Sequence, residues 1–141
     1  MRERGGLRDG AFRHTEAVIQ SYYKYPQWIK KREEELHHPH KQTDVNQGGG
    51  GNIPSSPTEN TAMRLMLDKQ LKQWNFEYAA LKEMMVSADD ETLKIIELWY
   101  LEKPRRHTWD GVSLATNVSR RQCIRLRNEF VKELAEKLSF F

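Results

Sequence analysis

The sequence predicts an all-α protein, with one long helix in a helical N-terminal region and a helix-turn-helix domain at the C-terminal end. Two observations predict this class. Apolar residues recur three and four positions apart, and capping residues stand before several of these runs. No run alternates between apolar and polar residues as a strand does. The length of 141 residues allows one ordinary domain or two small ones.

Composition excludes several classes of protein. The mean hydropathy is −0.84, and no stretch approaches the roughly 18 apolar residues of a membrane span. The single cysteine, Cys123, cannot form an internal disulfide, which is typical of a reducing compartment. No signal-like segment opens the chain. The expected location is therefore the cytoplasm, with no contact to a membrane.

The net charge of +3 hides an uneven distribution. Residues 57–101 hold five Lys or Arg against eight Asp or Glu, whereas residues 105–141 hold eight against four. Within 120–127 there are four arginines and no acid. An acidic middle therefore cancels a basic C-terminal end, and such asymmetry indicates a binding partner.

The N-terminal part is predicted to hold two helices after a disordered start. Residues 1–11 carry charge and glycine but few apolar side chains, so we expect them to be disordered. A helical pair follows over 12–36. Tyr25-Pro26 divides the pair, because proline removes a backbone donor and fits best in the first turn of a helix.

Residues 37–56 are predicted to be a linker rich in glycine and proline. The four glycines at 48–51 would lose much entropy in a regular element. They do not form a phosphate-binding loop, since no Lys-Ser/Thr pair follows them and no strand precedes them. A plain hinge and a specific turn both stay open for this run.

A long amphipathic helix is predicted over 57–86. Ser56 is its expected N-cap and Glu59 completes the capping box. The apolar stripe has a heptad-like spacing that requires a partner helix. Self-association and packing on the N-terminal helices both stay open, although Trp74 and Tyr78 are large for a tight two-stranded seam. The stripe consists of Leu67, Leu71, Trp74, Tyr78, Leu81 and Met85.

The C-terminal region, 89–139, is predicted to contain the helix-turn-helix. A helix over 89–101 precedes a short helix that begins near Thr108 and ends at Ala115. A tight turn at Asn117-Val118 leads to Ser119, the expected N-cap of a longer second helix. The apolar face of that helix is formed by Cys123, Leu126, Phe130, Leu134 and Leu138.

The polar side of this second helix is the predicted DNA-binding surface. Arginine can read guanine through two hydrogen bonds, and Gln or Asn can read adenine in the same way. Two arginines before the domain are expected to contact phosphate, which positions the protein without reading sequence. The base-reading candidates are Arg120, Arg121, Gln122, Arg125 and Asn128, and the phosphate-binding candidates are Arg105 and Arg106.

Other chemistries find little support in the sequence. His37, His38 and His40 surround a helix-breaking proline and lack cysteine partners, so we expect solvated histidines and no metal site. Cys123 lies on an apolar face, where it acts as a small hydrophobe. No carboxylate pair can be assigned to a shared pocket. We therefore expect no catalytic residue and no cofactor, and the chain is not predicted to be an enzyme.

A set of residues spread over about 15–138 matches the pattern of a known family. These residues are Thr15-Glu16, Tyr22, Tyr25-Pro26, Ile29, Arg32, Pro39, Asp44, Asn46, the glycines 48–50 and Thr58-Glu59. With them the chain resembles the RinA-like phage transcriptional activators, a family related to the ArpU-type regulators of Gram-positive bacteria and their prophages. The resemblance implies a C-terminal unit similar to region 4 of sigma factors, and activation of late phage genes for packaging, morphogenesis and lysis. Promoter DNA and host RNA polymerase would be the partners, in the bacterial host cytoplasm.

Three functional hypotheses follow from these patterns. The first is a sequence-specific transcription activator that binds double-stranded DNA. The second is the DNA-recognition subunit of a phage packaging machine, similar to a small terminase, which predicts a ring-shaped oligomer. The third is a helical adaptor whose basic end meets an acidic protein, and it predicts no affinity for duplex DNA at any salt concentration. A homodimer is compatible with the first hypothesis.

Overall fold

A computed structural model describes residues 3–38 and 57–140, and within these ranges the chain is mostly helical. This confirms the all-α class. A two-residue-per-strand hairpin precedes the helices, and a π-helical turn at Glu97–Leu101 continues α5. The elements are β1 (Glu3–Arg4), β2 (Leu7–Arg8), α1 (Asp9–Gln20), α2 (Tyr25–His37), α3 (Pro57–Leu67), α4 (Lys69–Ser87), α5 (Asp90–Ile96), α6 (Trp109–Thr116) and α7 (Arg120–Leu138).

The chain divides into two compact units. Unit 1 combines the described residues up to Tyr23 with those from Glu77 onward, so it joins both ends of the chain. Unit 2 comprises the described residues between Lys24 and Phe76. This division differs from the predicted one, in which residues 12–86 form one region and 89–139 another.

Residues 3–11 are ordered, in contrast to the disordered start predicted for residues 1–11. Glu3 pairs with Arg8 and Arg4 with Leu7 in an antiparallel hairpin. Gly5 and Gly6 form its two-residue turn with φ of 57° and 87°, and paired positive φ angles suit such a turn to the twist of the strands. Leu7 is buried, so one apolar side chain anchors a segment whose composition is otherwise polar.

The helical pair is present, with α1 ending at Gln20 and α2 beginning at Tyr25. Pro26 lies in the first turn of α2, where its missing N–H costs no helical hydrogen bond. The predicted linker 37–56 begins where α2 ends, at His37. Its remainder from residue 39 lies outside the described residues, and so do the Gly48–Gly51 run and the N-cap at Ser56.

The long helix predicted over 57–86 is two helices in the structure, because α3 and α4 are separated at Asp68. The Asp68 carboxylate accepts a hydrogen bond from the Leu71 N–H at 2.9 Å. This satisfies one of the backbone donors that a new helix leaves unpaired at its start. The capping preference of Asp68 therefore starts a new helix at this point, although the heptad-like spacing of apolar residues continues across it.

Unit 2 is held by a few specific contacts between α2 and the helices after the linker. The Arg32 guanidinium donates to both carboxylate oxygens of Asp68, at 3.2 and 2.8 Å. The Trp28 and Trp74 rings lie 5.5 Å apart. Arg64 donates to the Leu36 carbonyl at 3.1 Å.

The stripe proposed for self-association is mostly covered within the chain. Leu71, Leu81 and Met85 are buried, and Trp74 and Tyr78 are half-buried. The Tyr78 ring lies 5.7 Å from the Tyr22 ring of the same chain. This contact accounts for the position of Tyr78 without a second copy of the protein. Leu67 differs from the others, since it is 66% exposed.

Unit 1 has a hydrophobic core built around α7, which packs against α1, α5 and α6. The Asp89 side chain caps α5 by accepting from the Thr92 N–H at 2.8 Å. A cluster beside the start of α7 consists of Ile95, Leu98, Val112, Val118 and Cys123. The rest of α7 buries Phe130, Val131, Leu134, Ala135 and Leu138.

Candidate nucleic-acid interface

The short helix α6 and a tight turn lead into the N-terminal half of α7, and a side-chain cap marks the start of each helix. Thr108 caps α6 by accepting from the Gly111 N–H at 3.2 Å. Asn117 ends α6 in the left-handed conformation with φ 64°, which asparagine tolerates better than most residues. Ser119 then caps α7 by accepting from the Gln122 N–H at 3.1 Å.

A hydrogen bond across the turn holds the two helices in register. The Ser113 hydroxyl, in α6, donates to the Val118 carbonyl at 2.6 Å. Val118 and Cys123 are both buried next to Val112. The apolar cluster and this hydrogen bond therefore hold one side of the first turns of α7, while the other side faces solvent.

The sequence-predicted base-reading residues share this solvent-facing side to different degrees. Arg120, Arg121 and Arg125 are exposed, whereas Gln122 and Asn128 are half-buried. The spacing of Arg121, Arg125 and Asn128 places them on one helical face. The three residues also line a common cavity of about 440 Å³.

The exposed arginines differ in their contacts. Arg125 donates to Gln122 at 2.9 Å and to Glu129 at 3.1 Å. Arg120 lies 3.4 Å from Asp110 in an ion pair that is largely exposed, and such pairs are worth little in water. Arg121 forms no hydrogen bond or ion pair with any described residue, so its guanidinium is available to an external acceptor.

Arg105 and Arg106 precede α6 and are both exposed. The Arg105 guanidinium lies 3.9 Å from the centroid of the Trp99 ring. Trp99 in turn stacks on Trp109 at 3.8 Å with an interplanar angle of 16°. Arg105 thus belongs to an aromatic stack that ends on Trp109, the first residue of α6, and it does not line the cavity beside α7.

Arg127 has a buried role that its position in the sequence does not indicate. It counts among the four arginines of 120–127, yet it is only 8% exposed. Its guanidinium donates to the Tyr100 hydroxyl at 3.2 Å and lies 3.5 Å from the Glu16 carboxylate. Its Nε also donates to the Asn128 side-chain oxygen at 2.7 Å. Three exposed arginines, and not four, therefore face solvent in this segment.

The buried polar cluster is completed by a hydrogen bond from Tyr100 to Glu16 at 2.5 Å. Burial raises the pKa of Tyr100 well above its ordinary value, so the hydroxyl remains a donor at physiological pH. The cluster joins α1, the π-helical turn and α7. The sequence offers only a partial signal, since Arg127 stands four and eight residues before the apolar Val131 and Ala135, on the helical face that the structure buries.

Within the described residues, no group of three or more His, Cys, Asp or Glu is arranged to hold a metal ion. Cys123 is fully buried in the apolar cluster beside α6. His37 and His38 are exposed at the end of α2, while His40 lies outside the described ranges. Across residues 3–38 and 57–140, none of the helices combines the length and the apolar character that a membrane span requires.

These features define the chain as a mostly helical protein with a capped, solvent-facing basic helix on a hydrophobic core. The model of the family described as "Protein of unknown function (DUF722)" matches residues 13–136. The chain therefore belongs to this family. No curated protein and no solved structure matches it significantly.

Proposed function

We propose that the protein is a sequence-specific DNA-binding transcription activator whose α6, turn and α7 act as a helix-turn-helix. The observation that carries the proposal is the polar face of α7. Its first two turns hold three exposed arginines and no acid, while the opposite face is buried. A helix presented in this way fits the major groove with its N-terminal side chains toward the base edges.

The proposed roles follow from the contacts of each side chain. Arg121 is the leading candidate for a guanine contact, because its guanidinium has no partner among the described residues. Arg125 would exchange its contacts to Gln122 and Glu129 for a base or a phosphate, and Arg120 would leave its exposed pair with Asp110. Arg105 and Arg106 would contact phosphate from the segment before α6.

Asn128 is a weaker base-reading candidate than its sequence position indicates. Its side-chain oxygen accepts from the buried Arg127. A bidentate contact with adenine requires both the amide oxygen and the amide nitrogen. The hydrogen bond from Arg127 occupies one of the two lone pairs of this oxygen and fixes the orientation of the amide, which restricts a bidentate contact of Asn128 with adenine.

The proposed regulatory role rests on the resemblance to RinA-like activators. The targets would be late phage or prophage genes for packaging, morphogenesis and lysis, and host RNA polymerase would be the second partner. The protein would act in the bacterial host cytoplasm. A homodimer on two half-sites fits this role, and the exposed Leu67 is the residue of the apolar stripe with most surface left for it.

Two alanine variants test the proposed DNA-binding surface. Arg121→Ala and Arg125→Ala should each weaken binding to a selected duplex by about 10-fold or more, since a bidentate arginine–guanine contact is worth about 1–3 kcal/mol. Far-UV circular dichroism should show unchanged helicity. Arg13→Ala is the matched control, because it removes one exposed arginine that pairs only with Asp9 on α1. Parent-like binding by both α7 variants would overturn the assignment of the surface.

A further inference from the structure

The N-terminal hairpin lies directly against the polar side of α7. A Cβ atom added to Gly5 would stand 3.0 Å from the Cβ atom of Asn128, and one added to Gly6 would stand 3.2 Å from Nζ of Lys132. A side chain at Gly5 would therefore collide with α7, and one at Gly6 would displace the end of the Lys132 side chain. Gly5 also lines the cavity beside Arg121, Arg125 and Lys132.

Lys132 extends the polar face of α7 beyond the residues assigned to base reading. Arg121, Arg125, Asn128 and Lys132 are spaced four, three and four apart, which keeps them on one side of the helix. Eleven residues of α-helix span about 16 Å. The major groove is about 12 Å wide, so a helix whose first turns enter the groove brings Lys132 to its edge, where the phosphates lie.

The charges near this end of α7 suit a polyanion. Arg8 and Lys132 are exposed, and neither forms an ion pair with any described residue. Glu129, the acid among the residues that line the cavity, is paired with Arg125. Arg4 is less available, because it pairs with Asp9 at 3.2 Å. Glu3 lies opposite Arg8 in the hairpin and is the nearest opposing charge in its register.

We propose that the hairpin Glu3–Arg8 and Lys132 form a second DNA contact, which binds the phosphate backbone at the edge of the groove that α7 enters. The inference rests on the proposed DNA-binding function and deepens it. Arg8 and Lys132 supply the charge, and Gly5 and Gly6 allow the hairpin to lie close to α7. This contact adds affinity without reading sequence, because phosphates are the same at every base pair.

The test compares Arg8→Ala/Lys132→Ala with the parent on two labelled duplexes, one selected from a random pool and one with the same bases shuffled. Dissociation constants are measured from about 50 to about 200 mM salt. We expect the double variant to bind both duplexes more weakly by the same factor, on the order of 10-fold, and the salt slope to fall by about two. Lys94→Ala, which removes one exposed charge from α5, should change neither quantity.

Each outcome bears on one of the two proposals. An unchanged affinity and salt slope in the double variant, with binding still lost in Arg121→Ala, would overturn the hairpin contact and leave the proposed function intact. A loss confined to the selected duplex would also overturn it, since it would indicate base reading. Absence of duplex binding by the parent at every salt concentration would overturn the proposed function itself. Circular dichroism of each variant confirms that the helices remain folded.

Discussion

Unit 1 and unit 2 are stabilised by different means. Unit 1 contains most of the fully buried aliphatic and aromatic side chains of the described residues, among them Phe12 on α1, Leu81 on α4 and Leu134 on α7. In unit 2 the described buried side chains are few, and the Arg32–Asp68 pair and the Trp28–Trp74 contact join its helices. Hydrophobic burial is the larger source of stability. Unit 1 is therefore expected to unfold last, and unit 2 to respond more to pH and salt.

The largest loss of stability is expected from a cavity in the core of unit 1. Leu134 is fully buried on α7, so Leu134→Ala should lower the free energy of unfolding by about 4 kcal/mol. Leu114→Ala is the matched control, because Leu114 is 83% exposed and its truncation should cost less than about 0.5 kcal/mol. Urea unfolding followed by the NMR amide signals of α7 measures both. Equal losses in the two variants would contradict the placement of the core.

The next largest loss of stability is expected in the buried polar cluster of unit 1, which consists of Glu16, Tyr100 and Arg127. Arg127→Met should cost about 3 kcal/mol, because it leaves the Glu16 carboxylate without its cationic partner in a poorly solvated site. Arg125→Met, two residues away on the exposed face, should cost less than about 0.5 kcal/mol. Adding Glu16→Gln to Arg127→Met should restore part of the loss in the same unfolding assay. No recovery in the double variant would show that the charge pairing is not the cause.

In unit 2 we expect a smaller loss of stability on substitution, and a stability that depends on pH. Asp68→Ala removes the cap of α4 and should cost about 1 kcal/mol. The hydrogen bonds from Arg32 and the Leu71 N–H hold the pKa of the Asp68 carboxyl below its ordinary value. Its ionised form therefore stabilises the folded unit above about pH 3.9, and this contribution fades as the pH falls through the lower folded-state pKa.

Hydrogen exchange of the Leu71 amide measures this effect within unit 2. Protection should fall in Asp68→Ala and, for the parent, should decline below the ordinary carboxyl pKa. Asp68→Asn is the matched variant, since asparagine keeps a capping oxygen but carries no charge. It should retain most of the protection near neutral pH and lose its decline in acid. Identical pH profiles for Asp68→Asn and the parent would contradict the assigned pairing.

Two glycines near the start of the described chain, Gly5 and Gly10, give the smallest expected changes in stability, with opposite signs. Gly5→Ala should destabilise unit 1 by about 1 kcal/mol, because the residue has φ 57° and its new Cβ would meet Asn128. Gly10 lies in α1 with nothing within 4 Å of an added Cβ. Gly10→Ala should therefore stabilise by about 0.5–1 kcal/mol. Thermal unfolding measures both, and a stabilising Gly5→Ala would contradict the close approach of the hairpin to α7.

The sequence predicts features that depend on a few neighbouring residues. The predicted cap at Ser119 involves a side chain and a backbone N–H three residues later, and the caps that the structure shows at Asp89 and Thr108 have the same local form. The left-handed turn at Asn117 and the first-turn position of Pro26 are local in the same sense. Such preferences act within one turn of helix, so the pattern of residue types is enough to locate them.

Other features depend on contacts between distant parts of the chain and were missed. Glu16 and Arg127 are 111 residues apart, and no spacing rule joins them. The hairpin at Glu3–Arg8 looks polar in sequence and is ordered through one buried leucine and a close contact with α7. Asp68 is an intermediate case, because its capping preference was readable but the heptad-like stripe around it favoured an unbroken helix.

Selection of bound DNA from a random duplex pool tests the central claim most directly. The full chain is incubated with the pool at low salt, and the retained sequences are determined over several rounds. We predict enrichment of one short motif, with affinity for it that falls steeply as salt rises, and loss of that enrichment in Arg121→Ala. Retention of no duplex above background at any salt concentration would contradict the claim that α7 is a DNA-reading helix.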